Sequence, residues 1–219
     1  MTSVEQLQTT QIPEEWLATT IVQHIEDPYS EAAFAEEEKP LIDLGELDID
    51  ACVHLPFDEY DNLRPYIKRY NDVRIPEGTP PELVRAHNLF FDAARRILTP
   101  EQYEAAAVDF TYRRSDVDKG AMPIGQRPHI DRYPDPDKQL RLMAIACNSL
   151  PTIALQGSLK PQHLRPNGWL ENLRLQSRLR REPIPTSRLV LLAPALLHDT
   201  CRATEFTPNR LFLRWHLSF

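Results

Sequence analysis

The sequence predicts an α+β chain with a mainly β core, helices in its first half and a sandwich or barrel of short strands in its second. Two observations carry this. Before about residue 105 apolar residues recur at helical intervals. Beyond it, about seven β-rich runs occupy roughly 115 residues, the pattern of an all-β sandwich or barrel. The 20 prolines against 6 glycines fit stiff, sharply ended connections between those runs.

Taken in order, Ile12 to Ala35 reads as a helix with Trp16, Ile21, Val22 and Ile25 along it and Pro13 where a helix can begin. It ends in Glu36-Glu37-Glu38. A second helix is expected from Pro80 to Leu98, with Leu83, Val84, Leu89, Phe90, Ala93 and Ile97 as its apolar stripe. Thr99-Pro100-Glu101-Gln102 looks like the capped start of a third, with proline at the first helical position. Strands are expected near 107–113, 127–132, 140–147, 152–159, 189–192, 196–200 and 210–218. Between them, Asn167 to Glu182 could set Trp169, Leu170, Leu173 and Leu179 on one helix face and Arg174, Arg178 and Arg181 on another. That segment reads as a helix packed on the barrel, or as a lid or anion-attracting wall beside its mouth.

Composition narrows the function classes. No basic-then-apolar leader opens the chain and no run of about 18 apolar residues occurs, so a soluble, cytoplasmic protein with no membrane role is expected. Cys52, Cys147 and Cys201 are odd in number and widely spaced, which argues against a disulfide framework or a paired-cysteine metal site. The net charge of −7 hides an asymmetry. Residues 1 to 62 carry 16 acidic side chains and one basic one, Lys39, for a net −15; the remainder carries 16 acids against 24 bases, for a net +8. A basic body suits an anionic cosubstrate or nucleic acid, or else serves as the surface on which the acidic arm lies. The sequence pI near 5.5 and the lack of any basic run interleaved with aromatics speak against nucleic acid.

The chemistry centres on Pro128-His129-Ile130-Asp131. In a strand, side chains two apart point to one face, so the imidazole and the carboxylate converge. A chance His-x-acid is expected in a chain with 7 histidines, and a second one exists, His24-Ile25-Glu26, but on a predicted helix where the two side chains diverge. The third ligand is supplied by His198, in Leu196-Leu197-His198-Asp199-Thr200. Two histidines and one carboxylate leave the opposite side of a metal open, as non-haem Fe(II) oxygenases require.

Arg210 opens the last strand. Alternation puts Arg210, Phe212, Arg214 and His216 on one face and Leu211, Leu213, Trp215 and Leu217 on the other. An arginine facing a barrel interior is costly unless a carboxylate meets it, so an interior anion is implied if the first face points inward. The alternative is that the arginines face water and the Leu/Trp face fills the barrel. His216 reads as structural.

In order, spacing and strand context, His129-x-Asp131, His198 and Arg210 resemble the Fe(II)/2-oxoglutarate-dependent dioxygenase superfamily over about residues 107 to 219. Tyr112-Arg113-Arg114, Leu142-Met143 with Asn148, and the Phe206/Arg210 ending more distantly resemble its bacterial free-amino-acid hydroxylases, isoleucine hydroxylase among them. The resemblance implies a double-stranded β-helix (jelly roll, cupin-like) with N-terminal supporting helices. Residues 1–105 would form the acidic segment and the helices, and 106–219 the catalytic core of one structural unit. His129, Asp131 and His198 would hold Fe(II), and Arg210 would anchor the far carboxylate of 2-oxoglutarate. With O₂ as co-reactant, hydroxylation of a small polar metabolite, such as a free amino acid, is the implied outcome. Arg214 could bind a substrate anion or reinforce the cosubstrate site, and Arg114 and Tyr112 are further candidates for substrate contact. Two rivals remain open: a zinc-dependent hydrolase on the same three ligands, and a non-catalytic jelly-roll binding module.

Overall fold

The computed structural model describes residues 27–52, 59–61, 67–69, 72–74, 79–123, 127–131 and 140–218. Among them lie α1 (Glu31–Ala35), β1 (Leu41–Glu46), β2 (Glu59–Asp61), β3 (Ile67–Arg69), β4 (Asp72–Arg74), α2 (Pro81–Ile97), α3 (Pro100–Ala105), β5 (Ala107–Val117), β6 (Leu140–Cys147) and β7 (Thr152–Gln156). After these come α4 (Leu173–Gln176), β8 (Arg180–Pro183), β9 (Arg188–Leu192), β10 (Leu197–Thr200) and β11 (Thr207–Ser218). No helix among the described residues is long and apolar enough to cross a membrane.

The protein is mostly β, and its strand pairs are antiparallel. A six-stranded sheet runs β1-β9-β6-β11-β5-β2 and a three-stranded sheet runs β10-β7-β8; β3 and β4 pair separately. Alternation along the central strands divides the interior. Leu142, Ala144, Leu189, Leu191, Leu211, Leu213, Trp215 and Leu217 pack with α2 and α3 through Leu83, Phe90, Phe91 and Tyr103. Met143, Ile145, Val190, Leu192 and Phe212 face the other way and meet Ala154, Ile184 and Leu196 from the smaller sheet's side. That sheet's outer face, Ile153, Leu155 and Leu197, is covered by Phe34 of α1 and by Leu159, Leu170 and Leu179. The central strands of the main sheet are thus covered on both faces, whereas β8 at the edge of the smaller sheet is largely exposed, and the candidate site lies between the two sheets.

The helices of the first half form where their sequence signals stand. In α2 the apolar stripe faces the sheet, and Arg95 and Arg96 close the last turn, where cations favour the helix dipole. Thr99 caps α3 with the reciprocal Gln102 capping box, which satisfies two otherwise orphaned N–H groups. Within the sheet–helix core, Trp215 Nε1–H donates to His87 Nδ1 at 2.6 Å. An indole can only donate, so His87 is neutral there, and burial lowers its pKa to about 3.

Several expectations are corrected. The helix expected from Ile12 to Ala35 is interrupted: a turn at Asp27–Ser30 precedes α1, which starts afresh with the Ser30 hydroxyl accepting from Ala33 N–H; the stretch before residue 27 lies outside the described residues. No regular strand covers 127–131, the described part of the run expected at 127–132; residue 132 lies outside the described residues. Pro128 has no N–H to give a ladder, and pairing is limited to single bridges from His129 to Trp169 and to His198. No helix runs through 167–182. Gly168, at φ +78°, makes a left-handed turn at its start, α4 lasts four residues, and from Arg180 the chain pairs with β7. The expected run 152–159 ends as a strand at Gln156.

β1 and β8 were not anticipated from the sequence. β1 joins the main sheet beside β9, so the acidic first part supplies sheet as well as helix. Acidic residues of this part also meet the basic body: Glu38 pairs with Arg180, and Asp43 and Glu46 pair with Arg188. These are exposed or half-exposed contacts, which solvent and salt screen.

Candidate metal centre

The segment carrying His129 and Asp131 is threaded between β10 and the loop at 167–170. His129 N–H donates to the His198 carbonyl at 3.0 Å and His198 N–H to the His129 carbonyl at 2.9 Å, which sets the two histidines directly opposite each other. Ile130 N–H donates to Gly168 O at 3.1 Å and Leu170 N–H to Pro128 O at 2.8 Å, fastening the other side. The rings consequently lie with centroids 4.5 Å apart. One donor atom from each of His129, Asp131 and His198 lies within 4.8 Å of the others.

The hydrogen bonds of the two rings decide which nitrogens face inward. His129 Nδ1 lies 2.9 Å from Arg127 O and His198 Nδ1 lies 3.3 Å from Leu196 O. A carbonyl oxygen only accepts, so each bond needs Nδ1–H and turns Nε2 toward the interior. There His129 Nε2 is 3.4 Å from Asp131 Oδ1 and His198 Nε2 is 3.6 Å from Asp131 Oδ2. Burial lowers the His198 pKa to about 4, so its Nε2 lone pair faces a carboxylate oxygen with no proton between them. Two acceptors in such contact call for a cation. Burial also opposes charge on His129, but the Asp131 carboxylate outweighs it and raises that pKa, so a metal would displace a proton there. The donor set fits a divalent ion of borderline character such as iron or zinc.

Asp131 is the hub. Burial alone pushes its carboxyl up, but Arg214 and the imidazoles of His198, His129 and His216 prevail and hold it well below the usual carboxylate range. Arg214 Nη1 donates to Oδ2 at 3.1 Å and its Nη2 donates to Thr111 Oγ1 at 3.3 Å. His216 Nε2 stands 3.4 Å from the same Oδ2. A cavity of about 240 Å³ opens beside these groups, walled by Trp169, Phe212 and Ile130, with Arg113, Asn167, Thr152 and Asp199 as further polar lining. Asp199 is met from outside by Arg181 at 3.4 Å.

The sequence-predicted residues are distributed as follows. His129, Asp131, His198 and Arg214 come together at the cavity. Arg210 is 1% exposed and does not reach the cavity wall. Its Nε and Nη2 donate to Leu150 O at 3.4 and 3.3 Å, its guanidinium lies 5.4 Å from the Phe212 ring centroid, and no carboxylate pairs with it among the described residues. Leu150 holds that carbonyl from a left-handed φ of 48°, a conformation costing a residue with a Cβ about 1–2 kcal/mol.

Tyr112 is a correction: it is fully buried on the helix side of the sheet, its hydroxyl donating to Cys52 O at 3.0 Å. Arg114 is another, since it pairs in register with Leu211 of that same helix-facing set, while Arg113 pairs with Phe212 and lines the cavity. Two residues were missed. His216 was read as structural, although alternation had already placed it on the face of Arg214. Thr152 is 2% exposed and borders the cavity, and its buried Oγ1 has no hydrogen-bond partner among the described residues; nothing in the sequence singled it out.

No protein-family model matches the chain, and no curated protein matches it. Among solved structures it is similar to a prolyl-4-hydroxylase from Pseudomonas putida, 17% identical over 66% of this chain and 70% of that one, with a TM-score of 0.36. It is also similar to AviO1 from Streptomyces viridochromogenes Tue57, 13% identical over 86% of this chain and 95% of that one, TM-score 0.42. An oxidoreductase of the 2OG-Fe(II) oxygenase family from Burkholderia pseudomallei is 13% identical over 90% of this chain and 88% of that one, TM-score 0.38. At such identities the chemistry has to be read from this chain's own side chains.

Proposed function

We propose that this chain is an Fe(II)- and 2-oxoglutarate-dependent dioxygenase on a double-stranded β-helix, with His129, Asp131 and His198 as metal ligands and a small polar metabolite, a free amino acid or a derivative, as the substrate it hydroxylates. The observation that carries it is the pair of imidazoles, each tied through Nδ1 to a backbone carbonyl, presenting Nε2 to one buried carboxylate. When bound, Fe(II) would supply the activation of O₂ that couples cosubstrate decarboxylation to substrate oxidation.

The chain's own residues hold and shield the reactants. Arg210 is a buried guanidinium with a backbone carbonyl as its acceptor, the situation in which a ligand carboxylate gains most from a bidentate pair. Phe212, which lines the cavity, lies 5.4 Å from that guanidinium, so a ligand anchored there would have to pass this ring. The unpartnered Thr152 hydroxyl offers a ligand oxygen a hydrogen bond. Arg113 takes the substrate-contact role expected of Arg114, and Trp169 and Phe212 supply apolar wall beside the ligands.

The test is anaerobic addition of Fe(II) and 2-oxoglutarate to the apo protein. A visible charge-transfer band is expected, absent in His129→Ala and weakened in Arg210→Ala. Metal binding without a band would remove the 2-oxoglutarate assignment and bring zinc-dependent hydrolysis or simple binding forward.

A further inference from the structure

We propose that His216, with Arg214, is a positioning residue that holds Oδ2 of Asp131, so that the carboxylate presents Oδ1 alone to the metal. This rests on the metal reading of His129, Asp131 and His198. The two residues sit two apart on β11 and so share one face of the strand. Arg214 Nη1 approaches Oδ2 to 3.1 Å and His216 Nε2 to 3.4 Å. Oδ1 is approached by His129 at 3.4 Å and by neither of these two donors, while His198 Nε2 stands farther from Oδ2, at 3.6 Å, than either of them.

The physical case is one of occupancy. Each carboxylate oxygen offers about two lone-pair directions. On Oδ2 the guanidinium N–H takes one; His216 Nε2, 3.4 Å away and short of a formed hydrogen bond, stands where its Nε2–H tautomer would take the other. Arg214 is itself braced by Thr111 Oγ1 at 3.3 Å, and His216 is 3% exposed, so neither donor readily swings away. Such a grip favours one-oxygen coordination, which leaves one more position on the metal for ligands from solution. It also stabilises the charged carboxylate before metal arrives. A histidine filling space on this face would have no reason to aim a ring nitrogen at a ligand carboxylate.

Co(II) titration of the apo protein provides the test, read by affinity and by the visible d–d bands, which report coordination number. His216→Phe, which keeps the ring shape and loses the donor, is expected to weaken Co(II) binding about ten- to a hundred-fold and to change the band intensity. His216→Gln, whose amide N–H reaches to nearly the same place, is expected to restore affinity to within about three-fold of the parent and to restore the parent spectrum. In the Co(II) protein, hyperfine-shifted imidazole N–H signals should number two.

Unchanged affinity and spectrum in His216→Phe would overturn the inference while leaving the metal site standing. A third imidazole signal would also overturn it, because His216 would then be a ligand itself. If the parent binds no Co(II), the metal reading fails and takes the inference with it. Should His216→Phe not fold, His216→Asn replaces it. Its shorter amide falls short of Oδ2, so weaker binding than His216→Gln is expected, and equal binding overturns the inference.

Discussion

The two faces of β11 are both removed from water, yet they are built on opposite terms. Leu211, Leu213, Trp215 and Leu217 meet the helices as an apolar wall, with the single polar contact of the Trp215 indole satisfied by His87. On the opposite face Arg210 and His216 are buried, and Arg214 half-buried, around Phe212 between the sheets. Burying such groups costs several kcal/mol each unless they are paired. Arg214 and His216 find Asp131, whereas Arg210 finds a backbone carbonyl. One face is therefore an apolar packing surface, and the other gathers polar groups around the candidate site.

This contrast can be tested by substitutions on each face. The largest effect is expected on the helix side. Trp215→Ala should cost about 3–5 kcal/mol in urea denaturation, through the cavity it leaves and the His87 acceptor it orphans. A loss under about 1 kcal/mol would mean the helices do not depend on this wall.

Acid should act on the same face. His87 has a pKa of about 3 in the fold against about 6.5 when unfolded, so the unfolded chain binds the extra proton between these values. Its contribution to stability is complete above about pH 6.5 and is lost as pH falls toward 3, at up to about 1.4 kcal/mol per unit. His87→Gln, which still accepts from the indole but does not titrate, should flatten that slope. An unchanged slope would place the acid sensitivity elsewhere.

The smallest stability effect, and one that can carry the opposite sign, is expected on the site face. Arg210→Met replaces a buried cation that has no carboxylate partner among the described residues by an apolar side chain of similar length. It should leave stability unchanged or raise it by about 1 kcal/mol, while the 2-oxoglutarate-dependent band weakens. A loss of several kcal/mol would show that Arg210 serves the fold, and the division between the two faces would fail.

The sequence was most legible where a local signal and a tertiary demand coincide. The Thr99 capping box, the apolar stripe of α2, the 140–147 strand and the alternation of β11 are of this kind. It was least legible where pairing partners choose. Tyr112 and Arg114 were named for the site, but antiparallel register sets Arg113 opposite Phe212 and so turns Arg113 toward the cavity. Likewise 167–182 had helical spacing, yet Gly168 turns the chain and the edge of β7 recruits Arg180–Pro183.

By itself the sequence determined the identity of the metal-ligand candidates and the two-faced pattern of the last strand, because residue type and period are local properties. Which face turned inward was decided only by the second sheet packing over Phe212 and the helices packing over Trp215. The convergence of Arg214 and His216 on Asp131 was decided the same way. Pro128 deprived the His129 segment of a regular ladder, so its direction came from three partners distant in sequence, His198, Gly168 and Leu170. A pattern can say that two residues share a side, but the geometry of a site depends on contacts between segments that no local spacing encodes.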